Sequence, residues 1–127
     1  MKKINIVLII LFLGLIFNCK AQERQANIAT EIIGTWISED DAKVKLVFNT
    51  DGTYTSYYDN EPTAVFNYSI TDKCGDEYDI NSWFLKAIDR DDNDEYCYEL
   101  YGANSQPGGI LSMRSMLSGK IFVYNKS

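Results

Sequence analysis

The sequence predicts an all-β protein, an antiparallel up-and-down β-barrel of about eight short strands. Three observations carry that expectation. Lys43 to Phe48 alternates polar and apolar residues with a period of two, Asp51-Gly52 follows as a turn before Tyr54 to Tyr58, and turn-forming clusters then recur along the rest of the chain.

The first segment is read as something other than fold. Met1-Lys2-Lys3 is cationic, Ile4 to Phe17 is apolar apart from Asn5 and Gly14, and Asn18-Cys19-Lys20-Ala21 is polar and small. This pattern predicts a secretory signal peptide over residues 1–21, its apolar run being short for a transmembrane helix. Two processing chemistries fit. Cys19 and Ala21 suit a small-x-small cleavage site that leaves Gln22 first, whereas Ile16-Phe17-Asn18-Cys19 resembles a degenerate lipobox that would end the leader at residue 18 and lipidate Cys19. Both remain open, so the expected destination is the periplasm, secretion or an envelope lipoprotein.

Removal of residues 1–21 leaves 106 of 127 residues, enough for one domain with a modest core. Lys2, Lys3 and Lys20 leave with the leader, so 9 basic residues face 18 acidic ones and the net charge is −9. A surface this acidic excludes nucleic acid as an expected partner and restricts membrane contact to a lipid anchor, because phosphates require clustered Lys and Arg. A monomer is expected.

Residues 22–31 form a linker or a short helical turn, and residues 32–127 the barrel domain. The strands are expected at Ile32 to Ile37, Lys43 to Phe48, Tyr54 to Tyr58, Ala64 to Thr71, Glu77 to Ile80, Trp83 to Asp89, Glu95 to Gly102, Ile110 to Met116 and Lys120 to Asn125. The breaks fall at Asp59-Asn60-Glu61-Pro62, Lys73-Cys74-Gly75-Asp76, Asp91 to Asp94, Gln106 to Gly109 and Leu117-Ser118-Gly119. Cys74 and Cys97 are expected to pair in an oxidising compartment. Zinc is disfavoured, with no His and two candidate thiolates.

Gly34-x-Trp36, with the Phe48-x-x-Asp51-Gly52-x-Tyr54 hairpin behind it, resembles the lipocalin-like small barrels of the calycin group, which occur in bacteria as exported or lipid-anchored proteins. The resemblance implies that Gly34 permits close approach at the barrel floor and that Trp36 plugs that end. It also implies a basic residue near the last strand packed over the Trp, for which Arg114 and Lys120 are the candidates. Gly-Thr-Trp with an Asp-Gly hairpin occurs in avidin-like barrels too, but nothing reproduces a biotin pocket.

Catalysis is not expected. Without His, a Ser-His or Cys-His nucleophile is excluded, and most acids cluster in turns. Asp89, Asp91 and Asn93 fall at positions one, three and five of a calcium loop, yet Asp94 replaces the required Gly and Leu100 the bidentate Glu, so an acidic hairpin tip is favoured. No cofactor is implied.

Strand parity places Tyr58 and Tyr68 inward with Phe48, Tyr54, Phe66 and Ile70, and adds Leu85, Tyr98 and Met113 from later strands. Tyr58, Tyr68 and Tyr98 are therefore the candidate ligand-binding residues. The expected function is binding of a small, partly apolar molecule in the barrel mouth. The alternative is an envelope protein-interaction or inhibitor module with a filled barrel, since eight strands enclose little more than their own side chains.

Overall fold

A computed structural model describes residues 27–78 and 81–127. The leader, the two processing sites including Cys19, the first residues of the linker and the end of the strand expected at Glu77 to Ile80 lie outside the described residues.

A short helix over residues 27–31 precedes the strands β1 (Gly34–Ser38), β2 (Val44–Phe48), β3 (Thr53–Tyr58) and β4 (Glu61–Thr71). They are followed by β5 (Lys73–Cys74), β6 (Glu77–Tyr78), β7 (Trp83–Asp89), β8 (Glu95–Ala103), β9 (Ile110–Ser115) and β10 (Ile121–Lys126). Eight of them close into an antiparallel barrel in the order β1-β10-β9-β8-β7-β4-β3-β2, while β5 and β6 form a separate two-stranded sheet. Each barrel strand pairs with its neighbour along the chain once the β5–β6 excursion is set aside, which is the up-and-down connection. Closure leaves the barrel without a free edge to recruit another chain.

Period-two alternation fills the interior. Leu46 and Phe48 on β2, Tyr54 on β3, Ile70 on β4, Leu85 and Ala87 on β7, Leu100 on β8, Leu111 and Met113 on β9 and Tyr124 on β10 form one buried cluster with Ile32 and Trp36. Phe48 stacks on Tyr54 at 4.6 Å and Tyr54 on Phe66 at 4.7 Å between ring centroids, so the β2–β3–β4 wall is a continuous aromatic column.

Two stretches expected as breaks belong to strands, and β1 begins at Gly34 and not at Ile32, which follows the helix in a turn. β4 begins at Glu61 and runs through Pro62, where a break is expected. The reversal is confined to Asp59 (φ 52°) and Asn60 (φ 66°), residue types that accept positive φ in a tight hairpin. Pro62 then sits where the β3–β4 register shifts at Ser56/Tyr57, a bulge that tolerates a residue with no N–H. Lys73-Cys74, expected as a turn, is a strand paired with Glu77–Tyr78, and Gly75 (φ 62°) makes the turn between them.

A disulfide joins Cys74 to Cys97 with 5.8 Å between Cα atoms. It ties the β5–β6 hairpin to the outer wall of the barrel at β8. The burial of Cys74 (2% exposed) follows from that tether.

Candidate functional site

The register defines two ends. Gly34 opposite Phe48, and Trp36 opposite Lys126, mark the floor; Ser38 opposite Tyr124, and Val44 opposite Tyr58, lead to the mouth.

The floor is sealed. Trp36 is fully buried, and its indole Nε1 donates to the Ile32 carbonyl at 2.7 Å, so the ring is fixed by the backbone that enters β1. Lys126 lies over the indole, its Nζ 4.7 Å from the ring centroid, and donates to the Ile33 carbonyl at 2.9 Å. The residue over the Trp is thus neither Arg114 nor Lys120. Arg114 lies on the outer wall, donating to Glu99 at 2.6 Å and to the Tyr101 hydroxyl at 3.0 Å. Lys120 sits over Phe122 at 5.0 Å, towards the mouth. Inward parity on β10 belongs to Phe122 and Tyr124, and only the strand's last residue reaches the floor opposite Trp36.

Gly34 is required by the same contact. Its φ is 124°, and a Cβ there would collide with the Lys126 ammonium. Glu31, at the end of the helix, completes the seal by accepting from both the backbone N–H and the hydroxyl of Ser105 at 2.6 Å each. Those two hydrogen bonds hold its carboxyl below the ordinary glutamate value.

A cavity of about 130 Å³ occupies the mouth half, lined by Leu46, Tyr54, Ser56, Phe66, Tyr98, Met113, Phe122 and Tyr124. Every lining side chain is uncharged. Burial pushes the Tyr98 phenol up, pushes Tyr124 up to about 12, and pushes Tyr54 higher still, so all three carry their proton across the physiological range. None of the three forms a side-chain hydrogen bond with the described residues, and none of their oxygens is sealed from solvent. The cavity therefore offers apolar walls with phenol donors, together with the Ser56 hydroxyl, which already contacts Thr63 Oγ1 at 2.6 Å.

The three tyrosines singled out by parity occupy three different places. Tyr98 lines the cavity. Tyr58 is at the rim, 49% exposed, with the Lys43 ammonium 5.9 Å from its ring centroid. Tyr68 lies on the floor side, edge-on to Phe48 at 5.1 Å, and its hydroxyl donates to the Asn49 carbonyl at 3.4 Å. Leu46, Tyr54, Ser56, Phe66, Met113, Phe122 and Tyr124 line the cavity with Tyr98. For Phe122 and Tyr124 the available signal was the alternation of Ile121, Phe122, Val123 and Tyr124.

The acidic hairpin between β7 and β8 uses its own carboxylates. Asp89 Oδ1 accepts from the Asp91 N–H at 2.8 Å, and Asp92 Oδ1 accepts from the Asp94 N–H at 2.9 Å, with Asn93 at positive φ closing the turn. These are turn-capping roles.

A second cavity, of about 420 Å³, lies on the outer wall between the β5–β6 hairpin and strands β8 and β9; Cys74, Glu95, Tyr96, Cys97, Met116 and Leu117 are among its lining residues.

Comparison with protein-family models, with curated proteins and with solved structures finds no match.

Proposed function

We propose that this chain is an exported, calycin-like barrel that binds one small, neutral, partly apolar molecule in its mouth. The observation that carries the reading is the uncharged 130 Å³ cavity in which the phenols of Tyr54, Tyr98 and Tyr124 have no protein acceptor among the described residues. A volume of this order suits a guest about the size of one six-membered ring, since an apolar protein cavity of about 150 Å³ holds benzene. The phenols favour a guest carrying a hydrogen-bond acceptor, such as a carbonyl or ether oxygen.

Export is supported by the Cys74–Cys97 disulfide and by the leader-like first 21 residues; lipidation at Cys19 would place the barrel at a membrane surface. The floor of Gly34, Trp36 and Lys126 supports the calycin-like assignment, since it has the composition that the resemblance implies. The cavity holds no charged side chain to move a proton or act as a nucleophile, which favours binding over catalysis.

A second reading, an envelope interaction module, draws on Leu117, which is 91% exposed beside the outer cavity. Native mass spectrometry of protein purified from its own host separates the two. Adducts of a discrete small molecule support the mouth reading, whereas a co-purifying protein with an adduct-free barrel supports the second.

A further inference from the structure

Cys74, Cys97 and Glu95 bring two Sγ atoms and a carboxylate oxygen within 4.8 Å of one another on the outer wall. Two cysteines alone are too few to hold a metal, but Glu95 supplies a third donor two residues from Cys97 on the same face of β8. The outer cavity opens this cluster to solvent. Lys86 stands directly opposite Cys97 on β7, with its Nζ 3.8 Å from Glu95 Oε1.

We propose that, with the disulfide reduced, Cys74, Cys97 and Glu95 form a site for one thiophilic divalent cation such as Zn²⁺ or Cd²⁺, so that this wall is either covalently closed or metal-bound. The geometry suits both states. Metal–sulfur bonds of about 2.3 Å at a tetrahedral angle put two thiolates about 3.7 Å apart. A Cα separation of 5.8 Å can serve this arrangement as well as the disulfide, through side-chain rotation. The fourth position faces the open cavity and takes water. Two thiolates and a carboxylate give a divalent cation a net charge of −1, which the Lys86 ammonium beside Glu95 offsets.

The chemistry balances with an external dithiol as reductant. Its two sulfurs join as a disulfide, the Cys74–Cys97 bond breaks, and its two protons and two electrons leave both cysteines as thiols. The cation then forms two metal–sulfur bonds and one metal–oxygen bond and releases the two thiol protons to solvent. This site is separate from the mouth cavity and does not depend on what binds there.

The test is a Cd²⁺ titration of protein reduced with a phosphine and desalted without oxygen, followed by the ultraviolet thiolate-to-cadmium absorption, with far-ultraviolet circular dichroism recorded first. One equivalent is expected to bind the reduced protein and none the oxidised protein, with Glu95→Gln weakening the reduced site by about tenfold or more. Equal affinity in the reduced protein and Glu95→Gln, equal binding by the oxidised protein, or no stoichiometric binding would each overturn the proposal. Loss of the β-sheet signal on reduction would overturn it as well, because the site requires Cys97 and Glu95 held on β8.

Discussion

The Lys126 ammonium lies 4.7 Å from the centre of the Trp36 ring and is fixed there by a 2.9 Å hydrogen bond to the Ile33 carbonyl. First and last barrel strands are thereby joined at the floor by a side chain as well as by the ladder. Lys126→Met keeps the stem but removes the cation–π contact and a charged hydrogen bond, and is expected to cost about 2 kcal/mol in denaturant unfolding. An unchanged midpoint would show that the ammonium is incidental.

Gly34→Ala tests the same contact from the other strand. The new methyl group must displace Lys126 while the backbone holds φ at 124°, and an expected loss of about 1–3 kcal/mol follows from strain alone. Combined with Lys126→Met, the cost should fall below the sum of the two single changes, because the collision is gone; a double-mutant cycle measures this directly.

The floor shows how much the sequence disclosed. Gly34-x-Trp36 and the Phe48 to Tyr54 hairpin are local patterns, and the closed barrel is legible in them. Lys126 was not legible, because its role depends on register between strands separated by 90 residues, from Trp36 to Lys126, which no local period encodes. Tyr58 and Tyr98 show the same limit. Parity names the face that each occupies, but height along the barrel decides between rim and cavity, and the bulge at Ser56/Tyr57 adjusts that height.

The Cys74–Cys97 bridge closes a loop of sequence separation 23. The paired change Cys74→Ser with Cys97→Ser is expected to lower stability by about 3 kcal/mol, chiefly by freeing the unfolded chain. Calorimetry of the two proteins measures the difference. Because the bridge anchors an excursion outside the barrel, the aromatic near-ultraviolet dichroism should persist in the variant.

Stability should also fall at both ends of the pH range, for different residues. Glu31 is held below the ordinary glutamate value by its bonds to Ser105, so its contribution is present above that ordinary value and is lost as pH falls through the folded one. Glu31→Gln should flatten this acid limb in a pH series of thermal melts.

At the alkaline end, the buried phenols of Tyr124, pushed up to about 12, and Tyr54, pushed higher, keep their protons in the folded protein after the unfolded chain has lost its own. Stability is therefore full below the ordinary tyrosine value of 10.0 and declines as pH rises from there towards 12. Ultraviolet titration should show these tyrosines ionising only together with unfolding.

The mouth cavity is tested most directly by the Met113 methyl resonance in a titration with benzyl alcohol, a ring-sized molecule with one oxygen. Met113 lines the cavity and is 3% exposed, so its methyl group reports on the interior and not on the outer wall. A saturable shift of that resonance is expected, accompanied by shifts of the Tyr98 and Phe122 rings; in Met113→Trp, where the larger side chain fills the space, the two ring shifts should be lost. A Met113 methyl that stays in place while benzyl alcohol reaches millimolar concentration, or Tyr98 and Phe122 ring shifts that survive in Met113→Trp, would contradict a binding site in the barrel mouth.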